Sequence, residues 1–524
     1  MRRIINMLFH RVVLTGLAIL IQVIILLLMI VRFQRYFVLF YLICVLISLL
    51  VVIHIVSDTS NPSYKITWII LIMLFPILGG IVYLMFGSYK LSKRSKKKLM
   101  TIYNKTNIPA LKDNELLEKL EKIDKSAYLQ ANYICNSTNL TIYQNTYTEY
   151  LEIGEVYFSK LLEELSKAKK YIFMEYFIIE QGVMLNKILD VLESKVKEGL
   201  DVRIMYDDLG CIMKIPANYK KVLEKKGIKV CVFNPFIPFL KPQMNNRDHR
   251  KIVIIDGHTA FTGGINLADE YINEKNLYGH WKDNGIMVKG SAVFSFSLMF
   301  LSVWDYYNND NTNYYKYKKD AVLDKKYEDS GYVICINHLL SYLIDTQKRS
   351  LTHLQKVNII ENIYLNMINS ARDYIYITTP YLIIDNEMIT ALTLAAKNGV
   401  DVRVVTPYVS DGKIVDEVTK SYYKQLLESG VKIYEYTPGF IHMKTFLADD
   451  KIAVVGTVNM DYRSLYLHFE CGVWLYKTNS IKDIKNDFGE IFRVSKNITL
   501  NDINTVRALK RLKRAILRIV APLM

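Results

Sequence analysis

Asn246-Arg247-Asp248-His249-Arg250-Lys251-Ile252-Val253-Ile254-Ile255-Asp256, running on to Thr262-Gly263-Gly264-Ile265-Asn266, has a counterpart later in the chain. The second copy reads Ile441-His442-Met443-Lys444-Thr445-Phe446-Leu447-Ala448-Asp449 and runs on to Val455-Gly456-Thr457-Val458-Asn459. Both spell H-x-K-x4-D-x6-G-[GT]-x-N. On an extended segment His249 and Lys251 point to one face, and His442 and Lys444 do the same. Each copy therefore offers an imidazole and an ammonium side by side. The apolar residues that follow anchor the segment in a core. Gly263-Gly264 and Gly456-Thr457 are small enough to let backbone approach a ligand, and the following asparagine adds an amide donor. Two copies brought together give two imidazoles, two ammonium groups and two amides around one cavity, a set that suits a phosphodiester. Cationic donors neutralise developing oxyanion charge. One imidazole can attack phosphorus while the other protonates the leaving oxygen. A lone H-x-K would carry no weight; its recurrence in register with an independent repeat does.

That wider repeat spans about 140–500. Ala168-Lys169-Lys170-Tyr171-Ile172-Phe173-Met174 parallels Ala371-Arg372-Asp373-Tyr374-Ile375-Tyr376-Ile377. Gly199-Leu200-Asp201-Val202-Arg203-Ile204 parallels Gly399-Val400-Asp401-Val402-Arg403-Val404, and Gly227-Ile228-Lys229-Val230 parallels Gly430-Val431-Lys432-Ile433. A glycine after a helical pattern followed by an apolar run reads as a helix C-cap and a strand. Strands alternating with helices give α/β units. The expected fold is two pseudo-symmetric α/β lobes, 140–309 and 356–500, with mixed, largely parallel sheets. Residues 99–139 read as a linker and 310–355 as a connector that matches nothing in the first lobe.

Ahead of the lobes, residues 1–98 read as a membrane anchor. Hydrophobic runs cover 12–31, 37–56 and 66–86, each near the roughly 20 residues that cross a hydrocarbon core. The first lacks the cleavage site of a signal peptide. Lys90, Lys93, Arg94, Lys96, Lys97 and Lys98 follow the third run, and Arg32 and Arg35 follow the first. Positive flanks mark the cytoplasmic side, so the catalytic part is expected there. Arg2, Arg3 and Arg11 then lie on the wrong side, so the first run either spans against the rule or lies in the interface. Residues 501–524 read as a basic amphipathic helix. Val506, Leu509, Leu512, Ile516, Ile519 and Val520 share one face and Arg507, Lys510, Arg511, Arg514 and Arg518 the other, with Lys513 on the apolar side. Two placements are open: in the headgroup layer of an anionic bilayer, or docked on the core with a solvated basic face.

The 524 residues are 51% hydrophobic with 67 Lys+Arg against 51 Asp+Glu, a net charge of +16. Disorder is excluded, and the charge calls for a polyanion, lipid surface or nucleic acid. The six cysteines form no C-x-x-C pair, so neither a zinc cage nor a disulfide framework is expected. No cofactor or metal is expected, and Asp207-Asp208 reads as a cap or turn.

At the paired motifs the chain resembles the phospholipase D superfamily, and within it the bacterial cardiolipin synthases. Further stretches carry the resemblance across most of 60–524: Asn61-Pro62, Trp68, Phe75-Pro76, Phe86-Gly87, Asp269-Glu270-Tyr271, Trp281-x-Asp283, Thr379-Pro380-Tyr381, Asp461-x-Arg463-Ser464 and Phe469-Glu470. It implies two phospholipase D-like lobes and a metal-independent, two-step phosphatidyl transfer between phosphatidylglycerol molecules in an anionic membrane. By that resemblance His249 is the nucleophile and His442 the acid and base. Lys251, Lys444, Asn266 and Asn459 hold the phosphate. Asp283 orients His249 and Glu470 orients His442. Asp256 and Asp449 complete the catalytic motif as structural members. Related chemistries are phosphatidylserine synthesis and phospholipid hydrolysis; a nuclease is disfavoured by the apolar runs. The chain departs from the family's pattern at His468, where Asn is common. It also lacks a Ser-Gly-Pro turn before the second repeat and carries a third apolar run. These departures bear on acceptor choice rather than on the paired motifs.

Overall fold

Four glycines punctuate the lobes at equivalent places. Gly199, Gly227, Gly399 and Gly430 have φ of 89°, 80°, 93° and 94°. Each ends a helix in the left-handed region that glycine enters without a Cβ penalty, and each is followed by a strand. The computed structural model describes residues 37–58, 61–75, 113–138, 140–236, 246–321, 331–337 and 358–523, with scattered residues between 20 and 105.

The first lobe is a seven-stranded sheet. Its strands are β1 (Thr146–Leu151), β2 (Tyr171–Tyr176), β3 (Asp201–Asp207), β4 (Lys229–Phe233), β5 (Ile252–Ile255), β6 (Thr259–Gly263) and β8 (Gly285–Gly290), in the order β1-β8-β6-β5-β2-β3-β4; β7 (His280–Lys282) lies outside it. The second lobe repeats the plan with β9 (Tyr332–Asn337), β10 (Tyr374–Thr378), β12 (Asp401–Pro407), β13 (Lys432–Tyr436), β15 (Thr445–Ala448), β16 (Ile452–Gly456), β18 (Cys471–Tyr476) and β19 (Ser495–Ile498). Their order is β19-β13-β12-β10-β15-β16-β18-β9. Short strands β11 (Leu382–Ile383), β14 (Gly439–Ile441) and β17 (Met460–Asp461) complete the set.

The expectation of largely parallel sheets is corrected. Parallel pairing is confined to β2-β3-β4 and β10-β12-β13, and every other ladder within the two large sheets is antiparallel. Helical crossovers link only the parallel strands, whereas the strands after each H-x-K return as tight hairpins, β5-β6 and β15-β16. The hairpin turns hold Asp256 and Asp449 at φ of 52° and 53°, a conformation aspartate tolerates better than most residues.

Two stretches expected to connect the lobes are parts of them. Helices α1 (Phe37–Ser57) and α2 (Pro62–Leu74) come first, followed by α3 (Asn114–Ile123) and α4 (Lys125–Thr138). In the expected linker, Leu120, Ala127, Ala131 and Ile134 are buried in one core with Ile359, Ile363 and Trp474 of the second lobe. In the expected connector, β9 pairs antiparallel with β18 just as β1 pairs with β8. Its run Tyr332-Val333-Ile334-Cys335-Ile336 is therefore the second lobe's counterpart of β1, although the two share no sequence. The sheets meet through a shared core in which Phe173, Ile252 and Val288 pack with Leu447, Val455 and Val473.

Most of the run 12–31 and most of the basic stretch after residue 90 fall outside the described residues. Side chains of α1 are described from Tyr41, a part shorter than a span of about 20 residues; among the described residues no helix is long and apolar enough to cross a membrane. Asn61 caps α2 by accepting from Ser63 N, 2.9 Å. Its amide also donates to Asp385 and to the Tyr466 hydroxyl, 2.9 Å each, tying α2 to the second lobe. Glu361 joins this cluster through Tyr466, 2.9 Å, and burial with Asp385 alongside pushes its carboxyl up to about 9.

Candidate active site

Both H-x-K segments lie just before their strands, β5 and β15, rather than within them. Each is held in extended form by the opposite lobe. His249 N–H donates to Phe469 O at 2.9 Å and Phe469 N–H donates to Arg247 O at 2.8 Å. Symmetrically, β14 runs parallel to β7, and His442 N–H donates to Lys282 O at 2.7 Å. The residues that follow these backbone partners are Glu470 and Asp283. Each carboxylate is thereby delivered to the histidine of the other lobe.

The carboxylate pairing expected from the resemblance is thus reversed. His249 Nδ1 lies 2.9 and 3.1 Å from the two oxygens of Glu470. His442 Nδ1 lies 2.6 Å from Asp283 Oδ2. The reversal follows because the histidine-bearing segments hydrogen-bond across the lobe boundary.

The glycines serve these carboxylates more than a ligand. A Cβ on Gly264 would overlap the Asp283 carboxylate. A Cβ on Gly456 would meet Cys471 O at 2.5 Å. Thr457, in place of the second glycine, donates its hydroxyl to Glu470. The backbone approach inferred from sequence is real, but it is strand against strand.

Lys251 and Lys444 are buried and each ammonium folds back on its own motif, donating to His249 O at 2.5 Å and to His442 O. Arg250, between His249 and Lys251, points away and pairs with Asp248 at 2.9 Å and Glu175 at 2.5 Å. Asp256 lies apart from the reacting groups. It accepts from Lys169, Lys170 and Tyr171 N–H at 2.7, 2.6 and 3.0 Å. Asp449 accepts from Arg372, Asp373 and Tyr374 N–H at 2.7, 2.9 and 2.9 Å. Both are turn-to-strand clasps, so these two members of the catalytic motif hold backbone and do not reach the paired imidazoles. Asn266 is buried; its Oδ1 accepts from Ile178 N and its Nδ2 donates to the Tyr271 hydroxyl at 2.7 Å. Asn459 is buried, and its Oδ1 meets no hydrogen-bond donor among the described residues.

Aromatic rings wall the imidazoles. Phe177 sits 5.0 Å from His249, and Tyr271 and Trp281 sit 5.4 and 5.6 Å from His442. His468 is buried 5.6 Å from His249. Sequence reasoning gave none of these four a place at the site. Tyr271 and Trp281 stood in the family-like stretches, and the signal available was their nearness to Asn266 and Asp283.

Burial sets the electrostatics. It holds both imidazoles well below the usual histidine range, with Lys251 and Lys444 reinforcing the effect. Burial lowers Lys251 to about 8 and Lys444 to about 7, and raises Asp283 and Glu470 to about 7 each. Burial thus favours neutral imidazoles and weakens both ammonium ions, and an anion beside them shifts all four groups toward their protonated forms. Asp207 is a helix cap, accepting from Leu209 and Gly210 N–H, and Asp208 accepts from Phe236 N–H. Among the described residues one trio could ligate a metal, His249, His468 and Glu470, with ligand atoms within 4.8 Å. A metal there would occupy an imidazole of the paired motif. All six cysteines are free thiols.

The geometry has counterparts in known proteins. A family model described as "Cardiolipin synthase, PLD-like domain" matches residues 161–293 and 364–492, one match per lobe. The chain belongs to the phospholipase D-like cardiolipin synthase family. It is a phosphatidyltransferase of that type, and the two matches are the two halves of the repeat. A second model, "Phospholipase_D-nuclease N-terminal", matches residues 46–88. A cardiolipin synthase of Halalkalibacterium halodurans is 34% identical over 85% of this chain and 86% of its own length. A protein of Streptococcus mutans serotype c is 42% identical over 90% of this chain and 99% of its own. The crystal structure of a phosphatidylserine synthase from Haemophilus influenzae Rd KW20 superposes with a TM-score of 0.56 at 14% identity. It covers 75% of this chain and all of that one, which shows the shared fold.

Proposed function

We propose that this enzyme transfers the phosphatidyl group of one phosphatidylglycerol to a second, giving cardiolipin and glycerol, through a phosphohistidine. The observation that carries the reading is the pair of crossed imidazole–carboxylate contacts in one buried, lysine-lined site. With Nδ1–H committed to a carboxylate, Nε2 is the nitrogen left for chemistry. With the anionic phosphate bound and Asp283 on its Nδ1–H, His442 is held as the imidazolium; His249 Nε2 attacks phosphorus while His442 Nε2–H protonates the departing glycerol oxygen and is left neutral. The second phosphatidylglycerol then enters, His442 takes its hydroxyl proton, and the alkoxide displaces His249. Lys251, Lys444, Asn266 and Asn459 hold the phosphate oxygens. Substrate charge restores the lysines' protons, so their cationic form is recruited when it is needed. Glu470 and Asp283 orient the imidazoles and stabilise them when protonated.

Both lipids are bilayer components, and the same reading places residues 1–98 in the membrane as a multi-pass anchor with the lobes on the cytoplasmic side. The exposed apolar side chains of α1 and α2, among them Leu46, Leu50 and Met73, support it. The test is purified full-length enzyme in phosphatidylglycerol vesicles, with products separated by chromatography. Cardiolipin and free glycerol in equal amounts are expected; phosphatidic acid without cardiolipin would reject the synthase in favour of a hydrolase. Labelled substrate quenched in denaturant at alkaline pH, where a phosphoramidate survives, should leave its label on His249. Protease should spare the lobes in right-side-out vesicles; digestion there would reverse the topology.

A further inference from the structure

The C-terminal helix is docked by the face that sequence pattern leaves for water. We label α5 (Lys413–Glu428), in the second lobe, and α6 (Ala508–Val520). Buried Arg514 donates through Nε to Glu417 of α5 at 2.8 Å, and Lys510 reaches the same carboxylate at 3.1 Å. Arg518 lies 4.3 Å over the Tyr422 ring and donates to Gln425 at 3.1 Å. Four residues apart, 510, 514 and 518 form one stripe, and that stripe is inward. The opposite stripe is apolar and open: Leu509 is 79% exposed, Leu512 58%, Ile516 56% and Ile519 43%. This overturns one of the two placements open from sequence, docking with a solvated basic face. The helix is docked, but by its basic side, and the apolar side faces away from the protein.

What covers that stripe is indicated by its neighbours. Thr67 of α2 donates its hydroxyl to Ile519 O at 2.7 Å. Leu523 packs with Val51, Ile55, Trp68 and Ile72, the small core between α1 and α2. The C-terminal end of α6 is thereby fixed beside α1 and α2, whose own exposed apolar side chains include Leu46 and Leu50 on one and Met73 and Leu74 on the other. Lys513 and Arg511 stay exposed beside the apolar stripe of α6, placed for anionic headgroups once the stripe is immersed.

We infer that α6 is an interfacial membrane helix whose apolar stripe lies in the bilayer that holds α1 and α2, and that Glu417 clamps the second lobe to it. The inference rests on the membrane attachment proposed above, not on the transfer reaction. A helix lying in the plane of the interface buries its apolar face roughly 5–10 Å into the headgroup–acyl boundary. Clamped through Glu417, it fixes the lobe at two points, α2 and α6, rather than at a single flexible tether. The lobe's height and tilt over the lipid are then set by the fold.

The test uses the full chain in vesicles of phosphatidylglycerol and phosphatidylcholine carrying a labelled phospholipid. Photoreactive benzoylphenylalanine replaces Leu512, Ile516, Leu46 in α1, or exposed Lys197 in the first lobe. Lipid adducts are expected at 512, 516 and 46 but not at 197. Adducts at 46 without adducts at 512 and 516, or a covalent dimer in their place, would overturn the inference and leave the anchor standing. No adduct at any of the three would remove the anchor, and the inference with it.

Discussion

Glu470→Gln tests the crossed pairing most directly. In the native site both Glu470 oxygens face His249 Nδ1, at 2.9 and 3.1 Å, and the carboxylate is fully buried. Glutamine keeps the size and removes the charge. Its NH2 can donate to Nδ1, which moves the imidazole proton to Nε2 and removes the lone pair needed for attack on phosphorus. The lost charge-assisted hydrogen bond is worth about 1.5–3 kcal/mol, and the wrong tautomer adds a comparable amount. A total of ~3–5 kcal/mol corresponds to a loss of ~10²–10⁴-fold in turnover. Glycerol release alone cannot show which histidine was damaged, because both act in the first step. A phosphatidyl p-nitrophenyl ester separates them, since its leaving group departs without a proton. With that substrate His442→Ala and Asp283→Asn should still give a stoichiometric burst of nitrophenolate and then stall. His249→Ala and Glu470→Gln should give none. The pairing is tested whichever histidine is the nucleophile, because each carboxylate variant must behave like the histidine it touches. Glu470→Gln behaving like His442→Ala would refute the reasoning.

Three other outcomes follow from the same geometry. kcat/KM should be bell-shaped between pH 5.5 and 9.5. As pH falls below about 7, Asp283 and Glu470 take up protons and the imidazoles lose their anionic partners; as it rises through about 7 and then about 8, Lys444 and then Lys251 lose the charge that receives the phosphate. A flat acidic limb would disconnect the carboxylates from turnover. Gly264→Ala should lower kcat by ~10²-fold or more by displacing Asp283, whereas Thr457→Ala, which removes only a hydroxyl donor to Glu470, should cost about 1–3 kcal/mol in the barrier; equal effects would show that the glycine is not needed for the carboxylate's approach. Asp449→Ala should lower stability by about 2–4 kcal/mol in denaturant titration, since three backbone N–H groups lose their acceptor, with turnover per folded molecule kept within ~2-fold. A large loss of turnover at full stability would return Asp449 to the chemistry.

The duplicated motif made the site's inventory legible, because a spacing such as H-x-K places two side chains together whatever surrounds them. The C-cap glycines were legible for a similar reason: Gly199 and Gly399 each follow a helical pattern and open the same Gly-x-Asp-Val-Arg run. Relations between distant segments were not. Nothing in Asp283 or Glu470 says which imidazole it meets, since that depends on β14 lying beside β7 and on Phe469 lying beside Asp248. Strand direction was misjudged because alternating helices and strands describe only β2-β3-β4 and β10-β12-β13. The returning hairpins show in sequence only as Asp256-Gly257 and Asp449-Asp450. β9 was missed because strand equivalence rests on pairing with β18, and Tyr332–Asn337 shares with β1 an edge position rather than residues. For α6, amphipathicity was plain but its sense was not. Placing the basic face outward is the usual solution, and it takes Glu417, a hundred residues away, to reverse it.

The crossing bears on why the motif is duplicated within one chain. In either lobe taken alone, the H-x-K segment would lose its backbone partner, Phe469 or Lys282, and its imidazole would lose its carboxylate. Three buried ionisable groups in each lobe, its histidine, lysine and carboxylate, would then sit at an exposed face with their charges unmatched. Docking the lobes satisfies both sets at once. The histidines become competent at the same step that excludes water from Lys251 and Lys444. A half-enzyme should therefore have no residual single-histidine activity, even with an activated ester. Two co-expressed halves should recover the burst only where they reassemble, and with Glu470→Gln in the second half the assembled pair should lose the chemistry of His249 in the first.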